Sequence, residues 1–574
     1  MRNSDVARVM EEIGGLMRLR GDNTFKIRAY ENAARAIREL DKPLDRLLAE
    51  GRLRAVPGIG AAIEKKIADY AATGAVPLHQ KLLDEIPASA LELLDVPGLG
   101  PRRARAAYAE AGIDSLDALE AAALDGRLAS VSGFGPRSVE AILAALAQVR
   151  RHAGRHLGRD ARPLAELLAG WLGALPDVAR AEVAGDLRRR LEIVEEAVLL
   201  AAASAAEPVL AAFCGHPMVA EVLSHGDGEA EVRLGGGLPA RLVVVSPAAF
   251  ATALVRRTGS AGHLEELDRI AKRKRLRLDD GGLTGRGGVR VATPDETDVY
   301  AALGLALVPP ELREGSGEVR AAAQGRLPAL LERQDLRGLV HVHTTWSDGR
   351  ASVEDTAIAA RELGFEYLVV CDHSKSTSIA GGLSIEDLRR QIDEIRQVDA
   401  RTDGIEILAS SEVDILADGS LDYPDDVLAE LDCVVASVHG QFRQSRAEAT
   451  ARIEAALANP WLDILGHPMG RILLARDGLD VDPEALLDAA ARHGVALEVN
   501  GDPHRLDLDW RLHRAATERG IKLSIDPDAH APQTIEPLLA SGIEIARKGW
   551  VTPDQTLNAL PAAKFRATLR RNRN

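Results

Sequence analysis

Apolar residues recur at helical spacing along the first 155 residues, and glycine turns interrupt them three times. One short pattern, a hydrophobic residue, a Gly-x-Gly turn and an amphipathic helix, occurs as VPGIGAAIEKKI, VPGLGPRRARAA and VSGFGPRSVEAI at 56–67, 96–107 and 131–142. This repetition predicts an all-α region of helix-hairpin-helix units. A Gly-x-Gly turn before a helix exposes backbone N–H groups at the positive end of the helix dipole, which suits a phosphate.

Cationic side chains follow each of the three turns, which predicts contact with a nucleic-acid backbone. The candidate DNA-binding residues are Gly58, Gly60, Lys65, Lys66, Gly98, Gly100, Arg102, Arg103, Gly133, Gly135 and Arg137. Such contacts hold phosphates without reading bases, so we expect binding that is independent of sequence and sensitive to salt. A single turn of this kind could merely join packed helices, but three with the same hydrophobic frame favour backbone binding.

From Leu336 onward, apolar runs of strand length alternate with helical segments, and each run ends in a polar side chain. The first run, LRGLVHVHTTWSDG, places His341 and His343 on one face of a strand. The side chains that follow the runs are His341, His343, Asp348, His373, Glu412, His439, His467, Asp528 and His530. This alternation predicts a parallel α/β barrel with its site on one face. One such histidine would be a core residue, whereas nine converging side chains predict a metal centre.

The type of ligand narrows the choice of metal and the chemistry. Mixed imidazole and carboxylate ligands suit Mn²⁺, Zn²⁺ or Fe²⁺ better than Mg²⁺ or Ca²⁺. Such ions lower the pKa of a water molecule, which can then attack phosphorus. We therefore expect phosphoester hydrolysis with no protein nucleophile.

Charge and composition leave a DNA partner possible. The net charge of −15 arises mostly after residue 336, where 26 Lys and Arg face 39 Asp and Glu, whereas the first 336 residues are nearly balanced. A chain of 574 residues predicts three or four domains. The polar N-terminus, the short apolar runs and three scattered cysteines (Cys214, Cys371, Cys433) predict a cytoplasmic protein with no membrane partner.

The hairpins, together with DNTFKIRAYENAARAI at 22–37, resemble the amino-terminal part of the family X DNA polymerases. In repair members of that family, this region carries a 5′-phosphate pocket and a lysine that forms a Schiff base with abasic sugar. The resemblance implies Lys66 as the lyase lysine, with Lys26 and Tyr30 in the pocket. A solvated surface lysine is the alternative.

The stretch GDLRRRLEIVEEAVLLAAAS at 185–204 resembles the polymerase palm of the same family without its carboxylates. The positions of the family's motif serine and three catalytic aspartates hold Asp186, Glu196, Val198 and Arg241. Two-metal phosphoryl transfer needs several carboxylates, so a valine and an arginine there predict that polymerase activity is lost or strongly impaired. The alternative is a gap-filling polymerase in which Glu192, Glu195 or Glu196 binds metal.

The C-terminal motifs resemble the PHP domain, named for polymerase and histidinol phosphatase. That resemblance implies a three-metal site made by the nine ligands above, in which Glu412 bridges two metals as the catalytic carboxylate. Arg471, four residues after His467, either neutralises a phosphate oxygen or forms a structural salt bridge. In bacterial family X polymerases the PHP domain is fused at this same place.

The resemblance also implies a domain plan and a function. The expected domains are 1–80 and 81–155 (helix-hairpin-helix, 8-kDa-like and fingers-like), 156–315 (α/β palm and thumb), 316–336 (linker) and 337–574 (PHP). It implies a 3′–5′ exonuclease that acts on gapped or nicked DNA in base excision repair, in a bacterial cytoplasm and on the nucleoid. The alternatives are the gap-filling polymerase, a small-molecule phosphatase and a non-enzymatic scaffold for DNA ends. No protein partner is indicated.

Overall fold

The structure, a computed structural model, describes residues 3–38, 40 and 44–569. The chain divides into two compact units. The first comprises Met1–Arg155 and Leu210–Arg241, and the second comprises His156–Val209 and Leu242–Asn574. Within the described ranges, no helix is both long and apolar enough to cross a membrane.

The first unit is built mainly from short helices around one apolar core. Its helices among the described residues are Asn3–Arg20, Thr24–Arg38, Leu44–Ala49, Ala61–Thr73, Pro77–Glu85, Gly100–Ala111, Leu116–Leu124 and Pro136–His152. Buried aliphatic side chains at helical spacing, such as Ile13, Ile63 and Leu146, form the core. The all-α character predicted for residues 1–155 is confirmed. The unit also contains the antiparallel strands Val219–Gly226 and Glu229–Leu234.

Each repeated glycine turn leads into a helix, and its first glycine has a steric reason. Gly58, Gly98 and Gly133 have φ angles of 93°, 77° and 87°, in the left-handed region where a Cβ is unfavourable. The next helix begins two or three residues later in all three cases. The repeated sequence pattern therefore corresponds to a repeated backbone conformation.

The first part of the second unit, here called the palm region (residues 156–209 and 242–315), combines helices with antiparallel strands. Its helices are Gly158–Gly173, Gly185–Arg188, Phe250–Thr258, Ala261–Arg273 and Glu296–Leu303. Its strands are His156–Leu157, Val178–Ala184, Ile193–Val194, Ala197–Ala203, Arg277–Asp279, Gly282–Thr284 and Arg290–Val291. Ala206–Cys214 and Pro239–Val245 cross the division between the two units. The short helix Glu318–Ala323 leads into the next region.

The remaining part of the second unit, here called the C-terminal domain (residues 337–569), alternates parallel strands with helices. Its strands are Gly338–Val342, Tyr367–Val370, Glu406–Ala409, Glu412–Asp414, Val435–Ser437, Ile464–Leu465, Ala496–Asn500 and Leu523–Asp526. Its helices are Val353–Glu362, Ile385–Asp399, Asp425–Leu428, Arg446–Leu457, Pro483–His493, Trp510–Glu518, Ile535–Lys548 and Ala562–Thr568. Apart from Glu406, every residue of these strands is buried, as expected where helices cover a parallel sheet.

The parallel α/β arrangement matches the prediction, but its hydrogen-bonded pairing is divided between two sheets rather than continuous. The first three strands form one sheet and the last five form another. Across the described residues, the two sheets meet through isolated bridges, His373 with Glu412 and Val342 with Ala529. The strand pairing stops there because the chain leaves strand geometry where it presents polar side chains. His341 and Asp528, for example, have φ angles of 61° and 51°.

A buried polar contact joins the palm region to the C-terminal domain within the second unit. The Nζ of Lys548, a residue 1% exposed, donates to the backbone oxygen of Arg189 at 3.0 Å and to the carboxylate of Glu314. The ring of Trp510 lies 4.4 Å from the same amine. Burial lowers the pKa of Lys548, and Glu314 opposes that shift. Removing either partner would leave a buried charge without compensation.

Candidate metal centre

The ends of the parallel strands supply the predicted ligands. His341 lies in strand Gly338–Val342 and His343 follows it, while Glu412 opens its own short strand. The ligands that follow the remaining strands are His373, His439, His467, Asp528 and His530. Asp348 lies in the loop after the first strand. His341, His467 and Asp528 have positive φ angles, a conformation that non-glycine residues adopt mainly where the surrounding structure enforces it.

Glu412 is the central carboxylate of the site and is 1% exposed. Its Oε1 lies 2.8 Å from His467 Nε2 and 3.2 Å from His439 Nε2. The same oxygen is 3.5 Å from His341 Nε2, and Oε2 is 2.8 Å from His373 Nδ1. Four imidazoles from four different strand ends therefore meet one carboxylate. That geometry suits a carboxylate shared between cations.

The nine side chains form overlapping groups that match the spacing of ligands around single ions. Within each group, the candidate ligand atoms lie within 4.8 Å of one another. The groups are His343, Asp348, His373 and His530; His341, His343 and Asp528; and His373, Glu412 and His439. His467 joins them through its contact with Glu412. The structure thus brings all nine predicted ligands together.

Several buried polar atoms of the site make no hydrogen bond of normal geometry within the described residues, although two of them, His373 Nδ1 and Glu412 Oε2, lie 2.8 Å apart. These atoms are His341 Nε2, His343 Nδ1, His373 Nδ1, Glu412 Oε2, His439 Nδ1 and His467 Nδ1. Buried polar atoms in proteins nearly always have a partner, so a cluster of unpaired ones requires an explanation. Imidazole nitrogens and carboxylate oxygens are common donors to Mn²⁺, Zn²⁺ and Fe²⁺. The site therefore fits divalent cations.

The protein groups alone create strongly coupled charges in the site. Burial raises the pKa of Glu412, but His439, His341 and His373 outweigh burial and hold that pKa well below its usual range. Burial lowers the pKa of His439, but Glu412 outweighs it and the pKa rises to about 10. The pKa of His530 rises to about 9 in the same way, through Asp348. A cation that binds here must displace protons from these imidazoles.

A second layer of polar groups, which sequence reasoning missed, orients the ligands. Glu498, fully buried in strand Ala496–Asn500, accepts hydrogen bonds from His341 Nδ1 and from the backbone N–H of His467. Asn500 donates to Asp528 Oδ2 at 3.1 Å. Partners of this kind fix the tautomer and orientation of metal ligands. The signal in the sequence was a glutamate and an asparagine at alternate positions of an otherwise apolar strand, ALEVN.

The predicted role of Arg471 at a phosphate does not match its contacts. Its guanidinium donates to Asp509 Oδ2 at 2.5 Å, to the backbone oxygen of Arg505 at 2.9 Å and to that of Leu506. Arg471 thus forms the structural salt bridge that the sequence left open, and it holds the loop before helix Trp510–Glu518. Arg505 of that loop lies beside a predicted ligand, with its Nε 4.0 Å from Asp528 Oδ2.

The substituted palm positions in the second unit are engaged in packing and ion pairs. Asp186 Oδ1 accepts from Arg189 Nη2 at 2.5 Å. Val198 lies opposite Ala184 in the strand pair, and its side chain packs at the turn, since a Cβ on Gly185 would lie 3.0 Å from Val198 Cγ2. Glu196 is half-buried just before that strand. An ion pair and an apolar side chain thus occupy two of the positions that the sequence resemblance assigns to the family's motif serine and an aspartate.

In the first unit, the second and third glycine turns line one open cleft of about 730 Å³. Its lining includes the predicted residues Gly98, Gly100, Arg102, Arg103 and Gly133. Gly60, Lys65, Gly135 and Arg137 are exposed elsewhere in the unit. Arg241 of the same unit has its Nη2 3.1 Å from Glu231 Oε2, in a salt bridge between strands.

The predicted lyase residues do not share one kind of environment. Lys26 is exposed and Lys66 is half-buried. Tyr30 is 8% exposed and belongs to the apolar core of the first unit, and burial raises its pKa. The lyase role of Lys66 stays a prediction.

Three stretches of the chain match known families. Residues 1–76 match the helix-hairpin-helix domain, residues 90–148 the SAM-like helix-hairpin-helix tandem, and residues 253–314 the DNA polymerase beta thumb. The C-terminal part is similar to probable phosphatases. One from Thermoanaerobacter sp. is 26% identical over 230 residues, covering 38% of this chain and 88% of that protein. One from Caldanaerobacter subterraneus is 26% identical over 211 residues, covering 34% and 78%.

The fold and the site define a DNA-binding chain of the family X polymerase type with a phosphatase-like α/β domain at its C-terminus. A relative from Bacillus subtilis, named DNA polymerase/3′-5′ exonuclease PolX, is 34% identical over 577 residues, which cover all of both chains. The chain belongs to this PolX family.

Proposed function

We propose that this protein is a metal-dependent 3′–5′ DNA exonuclease whose chemistry takes place in the C-terminal domain. The observation that carries the proposal is the complete set of nine clustered ligands with unpaired buried donor atoms. The relative from Bacillus subtilis is named for the same activity. The direction of cutting, the preference for gapped or nicked DNA, a role in base excision repair and a place on the bacterial nucleoid belong to this proposal.

Three divalent cations, Mn²⁺ or Zn²⁺ with Fe²⁺ as a further option, would be held by the three ligand groups. When bound, such cations polarise the phosphodiester and lower the pKa of the attacking water. Glu412 belongs to the group with His373 and His439 and also contacts His341 of a second group, so it is the carboxylate placed to be shared. Glu498 and Asn500 keep the ligands in position.

Arg505 is the cationic side chain that we assign to the phosphate. Its guanidinium lies beside Asp528 at the edge of the ligand cluster, and its side chain is 21% exposed. Arg471 acts through the loop, because each of its three nitrogens donates a hydrogen bond to Asp509 or to a loop carbonyl. Arg505 would neutralise a non-bridging phosphate oxygen while Arg471 keeps it in place.

Polymerase activity in the palm region is lost or strongly impaired in this proposal. The side chain of Asp186 brings a negative charge to Arg189, so a nucleotide phosphate would have to displace that carboxylate. Glu192, the buried candidate for a substitute metal ligand, instead accepts from Arg511 Nη1 at 2.8 Å and from Trp510 Nε1 at 3.1 Å. Both of its oxygens therefore have partners in the C-terminal domain. The gap-filling alternative loses support from this contact.

The decisive experiment follows a 5′-labelled gapped duplex in Mn²⁺, with and without deoxynucleoside triphosphates. The wild-type protein should produce a ladder that shortens from the 3′ end and does not change when triphosphates are added. The double variant His341→Ala with His343→Ala should lose the ladder. His493→Ala, a half-buried histidine at the end of helix Pro483–His493, is the matched control and should keep it. Primer extension would overturn the assignment of the chemistry.

A small-molecule phosphatase is the second candidate, since the C-terminal part resembles probable phosphatases. The same preparations would be assayed with p-nitrophenyl phosphate and with the gapped duplex. If hydrolysis of the small ester exceeded that of DNA in kcat/KM, the phosphatase would replace the exonuclease. We expect DNA to be preferred because helix-hairpin-helix regions span residues 1–76 and 90–148.

A further inference from the structure

A second basic cleft lies outside the metal centre, around the short helix Glu318–Ala323. It is open and measures about 310 Å³, at the lower end of the range for small-molecule sites. Its lining is Gly317, Arg320, Ala321, Gln324, Arg326, Arg514 and Trp550. Three guanidinium groups and one indole thus face the same space, and no carboxylate belongs to the lining.

The positive charge of this cleft is only partly compensated. Arg514 donates from Nε to Glu518 and from Nη1 to the backbone oxygen of Ser316. Arg326 donates to the side chain of Gln324, and Arg320 has no ion pair within the described part of the chain. A side-chain Cβ on Gly317 would lie 4.0 Å from both Arg320 Nη2 and Arg514 Nη1. Two like charges thus converge on one point, as they do around a bound anion.

Trp550 supplies a fixed aromatic surface beside these charges. Its backbone is in the left-handed region at φ 69°, and its N–H donates to Arg547 O at 2.9 Å. The guanidinium of Arg514 lies 4.8 Å from the ring centroid. The residue is half-buried, so part of the ring remains accessible. Arginine beside an accessible aromatic ring is the combination that binds single-stranded nucleic acid, by phosphate contact and base stacking.

We infer that this cleft binds one nucleotide of a single-stranded DNA segment, with its phosphate at Arg320 and Arg514 and its base on Trp550. The inference rests on the proposed function, because it takes DNA as the substrate of the metal centre. It adds a separate anchoring point on the thumb side of the C-terminal domain. A free nucleotide has the same chemistry, and the experiment below distinguishes the two sources.

Binding is measured by fluorescence anisotropy with a labelled oligothymidylate, in the His341→Ala, His343→Ala background so that no cutting interferes. Arg320→Glu combined with Arg326→Glu should weaken binding at least fivefold. Arg401→Glu, an exposed arginine of the same unit paired with Glu354, is the control and should stay within twofold. Both positions of the double variant are exposed, so the fold should tolerate the change.

The aromatic contact has its own readout. Trp550→Leu should weaken binding of the oligothymidylate about threefold or more, but should not change binding of a matched oligomer with abasic spacers. Photo-crosslinking with a 5-iodouracil oligonucleotide should label Trp550 in the wild-type background.

Three results would overturn the inference. They are unchanged affinity in the charge-reversal variant, equal losses with and without bases for Trp550→Leu, and full competition by free thymidine monophosphate. The last result would assign the cleft to a nucleotide. Absence of metal-dependent cutting by the wild-type protein would instead refute the proposed function and leave these binding results standing.

Discussion

The metal centre and the palm region both contain clusters of charged side chains, but the two clusters differ in whether their polar atoms are paired. In the C-terminal domain, buried imidazoles and carboxylates converge with donor atoms still unpaired. In the palm region, the charged side chains are paired with one another: Arg188 with Glu296, and Arg189 with Asp186 and Glu314. A cluster of charged side chains therefore indicates a reactive site only where its polar atoms lack protein partners.

Replacing the central carboxylate should give the largest contrast between the two regions. Glu412→Gln keeps the size of the side chain but removes a shared negative charge, so hydrolysis of the gapped duplex should fall by about 10³-fold. Glu196→Gln in the palm region should change hydrolysis less than twofold. Both rates come from quantitative gel assays in Mn²⁺. A large loss in the palm variant alone would reverse our comparison.

Removing the support behind the ligands should have the next largest effect. In Glu498→Gln, a neutral amide replaces the carboxylate that accepts hydrogen bonds from His341 Nδ1 and from the His467 N–H. Loss of such a supporting group costs about 10–100-fold in metal affinity or activity. Isothermal titration of the metal-free protein with Mn²⁺ measures the affinity directly. Glu430→Gln, at an exposed pair with Arg389, is the control. Unchanged affinity would show that Glu498 serves folding only.

The two arginines near the ligands should separate into different kinetic effects. Arg505→Ala should raise KM for DNA by about tenfold, as expected for one charge-assisted contact of about 1.5 kcal/mol. Arg471→Ala should lower the melting temperature as well, because Asp509 and two loop carbonyls lose their donor. Steady-state kinetics and calorimetry measure both quantities. The assignment fails if Arg505→Ala has wild-type kinetics while Arg471→Ala loses turnover without loss of stability.

Glu192 tests whether the palm region acts as structure or as a metal site. Glu192→Ala leaves the indole N–H of Trp510 without its acceptor and removes one of the two carboxylates that pair with Arg511, so the free energy of unfolding should fall by about 1–3 kcal/mol. Hydrolysis at low temperature should stay within threefold of wild type. Urea denaturation and the gel assay provide these values. Wild-type stability together with lost primer extension would identify Glu192 as a metal ligand.

The smallest expected effect is a pH dependence with opposite signs in the two regions. In metal-free protein, the pKa of His439 is raised from 6.5 to about 10, so its contribution is complete below pH 6.5 and is lost as the pH rises toward 10. In the palm region, burial raises the pKa of Glu296, but Arg188 and Arg313 outweigh it and lower the pKa from 4.5 to about 2. That contribution is present above pH 4.5 and is lost as the pH falls toward 2.

Variants separate the two sides of this pH profile. His439→Gln should flatten the alkaline decline of the melting temperature, and Glu296→Gln should flatten the acid decline. Saturating Mn²⁺ should also reduce the alkaline decline, because the metal replaces the protons. A wild-type alkaline profile in His439→Gln would contradict the coupling to Glu412.

Sequence reasoning reached the ligands because they are set by local rules. A buried parallel strand delivers the residue at its C-terminal end to the same side as its neighbours, so His373 and His467 could be placed from their own strands. The sequence did not indicate which distant side chains form ion pairs or hydrogen bonds with one another. Arg471 forms an ion pair with Asp509, 38 residues later, and neither segment of the sequence indicates this pairing. Glu498 was not predicted as part of the site because its strand, ALEVN, has the mostly apolar pattern of a buried core strand.

The closed barrel was the part of the fold that periodicity could not decide. Each apolar run predicts a strand, but closure depends on how far the pairing between neighbouring strands continues. At His373 and Glu412 it continues only as a single bridge. The reason is the same as the reason for the site: the backbone turns there to aim side chains at one another. At these positions, the backbone conformation that orients the ligand side chains does not allow regular strand pairing to continue.

The buried amine of Lys548 makes the stability of the C-terminal domain depend on the palm region. Because it is held by Arg189 and Glu314, deleting the palm region would expose a charged and aromatic surface on the C-terminal domain. A truncated gene product carrying the metal centre alone would therefore fold poorly or aggregate. Removing the palm region would therefore reduce metal-dependent hydrolysis in our proposal, even though the palm region itself takes no part in that chemistry. The palm region thus stabilises the C-terminal domain as a partner subunit would, although both are parts of one chain.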